Sequence, residues 1–351
     1  MQQTARSSMP HAPALTHALA HRKARAGLQG FAGRFTRPLD ARRLTPFTWA
    51  LFGILLAATT VAVRHFGFTL LVPPQLVACA AAAGVILFLL RDSALAGRMP
   101  ALTLGCLVYV LFGVQSLAAV TLSYALLATD LPLTDAVLLG IDRALGFDWL
   151  AFRRAVLALP TLDGLLGQAY ASLGVQFALV PALLLASGRA RRTEAFLAAV
   201  IACEFVACFV SAVWPCMGGV SLDGFASVAD ATPGATHLAH YLPLRDGSLR
   251  LVDSGSLYGL ISFPSFHCAA AYLAVAALWP LRWTRAPMLL LDGAMTLSAV
   301  THGAHYLADC AGGLGLAALA FPLCHRAVDR SADRAGRRPA ARAVEAGEAL
   351  A

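Results

Sequence analysis

Eight stretches of the chain are nearly free of charge and approach the length of a bilayer-crossing helix: residues 47–63, 72–90, 102–127, 164–187, 195–214, 264–279, 287–302 and 304–324. A hydrocarbon core needs about 20 apolar helical residues. Helices satisfy their own backbone there, which irregular chain does not. The pattern therefore predicts an all-α, polytopic membrane bundle of about eight transmembrane helices. The seventh stretch is the shortest, and without it the two termini would fall on opposite sides.

Two connections between these stretches are long. Residues 128–163 contain two runs, 133–145 and 149–159, whose apolar positions recur at helical spacing, so short interfacial helices are expected in this outer loop. Residues 215–263 are rich in Gly, Pro, Ser and Asp, and loops of that length in a compact protein are usually functional or disordered. Residues 1–45 read as a basic, disordered cytoplasmic arm within reach of anionic lipid, too long and too poor in a cleavage site for a signal peptide. Residues 326–351 read as a disordered cytoplasmic tail. Between them lie accessory transmembrane helices (46–127) and a helical core (128–325).

Of the 351 residues, 58% are hydrophobic and 13% charged, which excludes an ordinary soluble enzyme, where about a quarter are charged. The eight cysteines lack paired CxxC spacing and suggest neither a zinc ribbon nor a disulfide framework. The net charge of +8 invites a nucleic-acid reading, but the basic residues have neither interleaved aromatics nor a folded basic module. They sort by side instead. With both termini inside, 21 of the 27 Lys and Arg residues lie on the cytoplasmic face, as the positive-inside rule requires. The outer face keeps Arg64, Arg143, Arg153, Arg154, Arg245 and Arg250. A multi-pass protein of a bacterial inner membrane is expected, with the ends of spans six to eight facing the periplasm.

Those outer ends hold the unusual residues. His305 and Asp309 are four apart, so on a helix they share a face. A carboxylate there fixes the imidazole tautomer and leaves the other nitrogen as base or nucleophile; a polar pair satisfying itself at a span end is the alternative. Pro264-Ser265-Phe266-His267 reads as a helix start with Pro264 in first position, where free N–H groups favour an anion. Ser265 would add a hydroxyl donor, and His267 would protonate a leaving oxygen. Glu204, about ten residues and hence about 15 Å from the outer end of the fifth span, is expected to hydrogen-bond a neighbouring helix, with a functional role as the alternative. Gln168, Tyr170 and Gln176 read as interhelical contacts that border a headgroup pocket.

F-P-S-F-H (263–267) followed by H-Y-L-A-D-C-A-G-G (305–313) resembles the second and third motifs of the type 2 phosphatidic acid phosphatase superfamily. I-D-R-A-L-G-F-D-W (141–149) and A-Y-A-S-L-G-V-Q (169–176) resemble its inositolphosphotransferase-like branch, related to inositol phosphorylceramide synthase; the resemblance covers residues 130–325. It implies a lipid phosphate substrate, with His305 as the nucleophile forming a phosphohistidine, Asp309 as its orienting partner and His267 as the acid. No cofactor or metal is called for. The superfamily's first motif, with a Lys and an Arg-Pro, is not found, and Ser298-Ala299 stands where the third motif has Ser-Arg. A phosphoryl transition state needs cations or dipoles around its oxygens, which nominates Arg245 first, then Arg250 and Arg143.

Three alternatives remain: headgroup transfer of the inositol phosphorylceramide synthase type, a zinc hydrolase built from His267, His302, His305 and Asp309, and a transporter. A transporter places its polar residues near the midplane, whereas this cluster lies at one rim. The sequence sets neither the lipid, the acceptor nor the oligomeric state.

Overall fold

The computed structural model describes residues 44–90, 99–228 and 232–348, and within them each apolar stretch is a helix or a helix pair. The first four are α1 (Pro46–Phe66), α2 (Pro74–Leu90), α3 (Pro100–Leu127) and the pair α6 (Pro160–Ala171) and α7 (Leu173–Ala186). The last four are α8 (Ala190–Val213), α10 (Phe266–Leu278), α11 (Arg285–Thr301) and α12 (Leu307–Glu348). The expected interfacial helices are α4 (Asp135–Ala144) and α5 (Trp149–Leu157), while α9 (Leu238–Arg245) lies in the second long connection. Proline opens α1, α3 and α6, where its missing N–H costs nothing.

The result is an all-α helical membrane bundle. Among the described residues α1, α3, α8 and α12 are long and apolar enough to span alone, and α6 with α7 makes a further span bent by 54°. α10 has only 13 residues, about 20 Å of helix, because the chain enters it through a buried non-helical segment at Ser262–Ser265. The arm at 1–43, together with Arg91 and Arg98, lies outside the described residues. The stretch from Arg326, expected as a disordered tail, instead continues α12 as backbone helix to Glu348; its Ala, Arg and Glu residues are strong helix formers.

α8 is the axis of the bundle. Residues 195–201 are all buried, so every face of this helix meets a neighbour: α12, α3, α10, α1 and α7. Small residues such as Ala195, Ala198 and Ala199 permit that approach where lipid supplies no hydrophobic drive between helices. Large apolar residues such as Val61, Leu179, Leu290 and Leu319 point outward. One core runs from Leu44 to Val328 and joins the expected accessory helices to the expected catalytic core.

The two ends of the bundle are closed differently. At one, Glu194 accepts from Thr45 N at 2.6 Å and from the hydroxyls of Thr45 and Thr48 at 2.7 Å, and Arg192 donates to the Ala276 and Ala277 carbonyls at the end of α10. Those last carbonyls lack helical partners, so a cation there is well placed. At the other end β1 (Thr69–Leu71) pairs in parallel with β2 (Leu251–Asp253), and α10 crosses α12 at Gly312 and Gly313. A Cβ on Gly313 would lie 2.1 Å from the Ser265 carbonyl oxygen, and one on Gly312 would lie 2.8 Å from the Phe263 ring.

Gly313→Ala is expected to destabilise the protein by about 1 to 3 kcal/mol through overpacking, read as a lower unfolding midpoint in detergent. Gly315→Ala, whose Cβ meets nothing within 4 Å, is the control and leaves the midpoint unchanged.

Candidate active site

α10 begins two residues later than the Pro264 start anticipated for it. Ser265 is the N-cap, its hydroxyl accepting from Cys268 N at 3.5 Å, and it is fully buried. That arrangement turns the Ser265 hydroxyl onto the helix rather than outward. His267 falls in the first turn and stacks on Tyr170, with ring centroids 4.0 Å apart and 14° between planes. Tyr170 is the penultimate residue of α6, just before the bend into α7, so the broken span delivers the ring that holds His267.

His305 and Asp309 do meet, but not along one helix face. α12 starts at Leu307, and His305 sits in the turn before it. Asp309, in the third position of α12, reaches back to Tyr306 N at 2.9 Å, as a capping-box acid does. The same Oδ2 accepts from the Ser262 hydroxyl at 2.7 Å and stands 3.4 Å from His305 Nδ1. With the proton on Nδ1, Nε2 is left for chemistry. Burial opposes a charge on His305, but the hydrogen bond and charge of Asp309 outweigh it, and its pKa is raised.

The turn carrying His305 is held from outside the bundle. Ala304 has φ +56°, and its carbonyl accepts from Gly219 N at 2.6 Å. A Cβ on Gly303 would lie 2.7 Å from the Ala299 carbonyl and 2.8 Å from the His305 ring, so only glycine fits. Trp149 Nε1 donates to the His305 carbonyl at 3.1 Å. Asp142 of α4, fully buried, accepts from Leu307 N at 2.9 Å and Ala308 N at 3.1 Å, capping α12 from another helix. Asp135 of α4 accepts from Met217 N, Gly218 N and the Tyr306 hydroxyl. The I-D-R…D-W stretch is thus the brace of this turn.

These elements enclose a cavity of about 350 Å3 at the end of the bundle where α3 and α8 finish and α10 and α12 begin. His267, His305, His237, Tyr170, Ser262 and Glu204 line it, and Asp309 stands behind His305. Ala119, Val120 and Ser123 of α3 also line it, so the first-half helices are part of the site. His237 was not singled out from sequence. It sits on a 3-10 turn (Pro233–His237) tied down by Gly234 N, which donates to the His302 carbonyl at 2.7 Å. Its Nδ1 is engaged by the Gly234 carbonyl, and burial, then the neighbouring His305, hold its pKa below the usual imidazole range.

None of the nominated phosphate residues lines the cavity. Arg245 pairs with Asp130 at 3.0 Å and donates to the Leu131 carbonyl, Arg250 donates to the Leu244 carbonyl, and Arg143 is exposed on α4. Arg153 is fully buried instead, joined to Asp163 and to Thr232 Oγ1. His302 faces that pair, with Nε2 3.7 Å from Asp163 Oδ1. It therefore does not complete a zinc set, and among the described residues no three His, Cys, Asp or Glu side chains converge as metal ligands. Cys268 and Cys310 are buried beside the Thr296 carbonyl, as small apolar residues.

Asp142→Ala leaves two half-buried N–H groups without an acceptor and is expected to cost about 1 to 3 kcal/mol. The unfolding midpoint should fall, and activity with it, since the His305 turn rests on this cap; an unchanged midpoint would show the cap to be dispensable.

Neither the curated proteins nor the solved structures compared with the chain gave a match. Among protein families, the PAP2 superfamily matches residues 136–323, a range that runs from the bracing helix α4 through His237, His267, His305 and Asp309. The protein belongs to the PAP2 superfamily.

Proposed function

We propose that this membrane protein, a lipid phosphatase or phosphotransferase in kind, works through a phosphohistidine on His305 at the outer, periplasmic face of a bacterial inner membrane. The observation that carries the reading is the shared cavity: His267 and His305 open into it, and Asp309 is bonded behind His305. Nε2 of His305 attacks phosphorus, the bond from phosphorus to the departing alcohol oxygen breaks, and His267 protonates that oxygen. Water or an acceptor hydroxyl then attacks the phosphohistidine, His267 takes its proton, and the P–N bond returns its electron pair to His305. Water yields a phosphatase. An acceptor alcohol yields a headgroup transferase, the outcome typical of the inositolphosphotransferase-like branch that the motifs resemble.

The missing motif arginine needs a replacement within reach of the phosphoryl oxygens. The N-terminus of α10 opens on the cavity through Phe266 and His267 and supplies a dipole. That of α12 does not, because Asp142 occupies its first N–H groups. His237 supplies the second element. An anion bound beside His237 favours its protonated ring, opposing the effects of burial and of the neighbouring His305.

A screen of the purified chain against phosphatidate, prenyl pyrophosphates, phosphatidylinositol and ceramide, scoring phosphate release apart from headgroup transfer, tests the reading. Vanadate should inhibit and a strong chelator should not; loss of activity in chelator with rescue by zinc would overturn the phosphohistidine route. His305→Ala is expected to reduce turnover to background with folding intact. His267→Ala should lower it by about a hundredfold or more. His237→Ala should lower kcat/KM by about ten- to a hundredfold.

The pH profile follows from the raised pKa of His305. A protonated ring does not attack, so kcat/KM falls as pH drops through that pKa, and its acid limb lies above the ordinary imidazole range. Asp309→Asn removes the charge that raises it and should move the limb to lower pH. A limb that stays in place would assign the titration to another group.

A further inference from the structure

The cavity extends beyond the histidines to a second polar end between α3 and α8, lined by Ser123, Cys208 and Glu204. Glu204 is 8% exposed, and its Oε2 has no hydrogen-bond partner. Gln115 of α3 is the side chain within hydrogen-bonding reach of its carboxyl. Ser123 donates its proton to the Val120 carbonyl at 2.7 Å, and the Cys208 thiol is directed to the Ala119 carbonyl at 3.4 Å. The acceptors left at this end are Glu204 Oε2 and the Ser123 lone pairs, with Gln115 beside the carboxyl. The walls around them, Ala119, Val120, Leu260 and Ile261, are apolar. A buried acceptor without a donor costs about 1 to 3 kcal/mol, and an ionisable group at membrane depth costs more unless it meets a partner.

We propose that Glu204 is a specificity-determining residue that accepts a hydrogen bond from an alcohol hydroxyl of the phosphoryl donor or acceptor, held in the same cavity as the phosphate. This rests on the phosphate-site reading above. The cavity's 350 Å3 lies at the lower end of the roughly 300 to 1,000 Å3 of small-molecule sites, enough for a phosphate with a short hydroxylated chain. A hydroxyl fits this end better than an ammonium. One carboxyl among apolar walls does not offset the desolvation of a cation, whereas a hydroxyl is far cheaper to bury.

The test is calorimetric titration of the full-length chain in detergent with glycerol 1-phosphate, O-phosphoethanolamine and inorganic phosphate, in a His305→Asn background that blocks turnover. Glycerol 1-phosphate should bind about tenfold more tightly than inorganic phosphate. Glu204→Leu should remove most of that gap while leaving inorganic phosphate within about twofold, which also reports an intact fold. Glu204→Gln, whose amide oxygen still accepts, should keep affinity within about threefold. A gap that survives Glu204→Leu, an equal loss for all three ligands, or tighter binding of phosphoethanolamine than of glycerol 1-phosphate would overturn the assignment and leave the phosphate site standing. No binding of any of the three would remove both.

Discussion

The site depends on one carboxylate oxygen. Oδ2 of Asp309 meets the Ser262 hydroxyl, the Tyr306 backbone N–H and the His305 ring, while the Asp309 carbonyl accepts from Ser265 N at 3.0 Å. Two segments 47 residues apart, the entry to α10 and the turn that leads from α11 into α12, are thereby referred to one point. A buried anion is tolerable when charge-assisted hydrogen bonds surround it. It also demands short distances between its donors, and the two glycines at 312 and 313 supply them by letting α12 lie against Phe263 and Ser265. Helix packing and the geometry of the His305–Asp309 pair are therefore one constraint.

A second consequence concerns charge. Three arginines near this end of the bundle are committed elsewhere: Arg153 to Asp163 and Thr232, Arg245 to Asp130, Arg250 to a backbone carbonyl. The cavity is left with three imidazoles and one carboxyl as its ionisable lining apart from Tyr170, Tyr258 and Cys208. Imidazoles differ from a guanidinium in that their charge follows the ligand. The His305 ring stands against the Asp309 carboxyl, and burial holds His237 toward its neutral form. The cost of holding a permanent cation in that surrounding, several kcal/mol before pairing, is avoided.

Rigidity is distributed to match. The His305 turn is braced by Asp142, Asp135 and Trp149 from the interfacial helices and by Gly219 from the long loop. His267 is positioned by a ring at the broken span. His237 rides on a short turn anchored to the His302 carbonyl. α4 and α5 thus hold the His305 turn without lining the cavity.

Much of this was legible in the residue order. Apolar runs of spanning length imply helices because lipid leaves the backbone no other partner, and two histidines with a carboxylate at the outer ends of the last three runs mark a site whatever the packing. Other features were not legible. Asp142 looks like any acid on an amphipathic helix until α12 presents its N–H groups to it; His237 lies in a loop without periodicity; and Arg153 and Arg245 read as free until Asp163 and Asp130 are placed beside them. The even helical reading also extended too far, giving His305 and Asp309 a shared helix face where a cap joins them. By itself the sequence determined the bundle, its apolar spans and the identity of the histidine and aspartate motifs, since these follow from local transfer energies and local spacing. Only the tertiary structure decided which carboxylate braces which turn, which cations are already paired and that Glu204 opens into the cavity, because each of these is a contact between segments whose separation along the chain carries no signal.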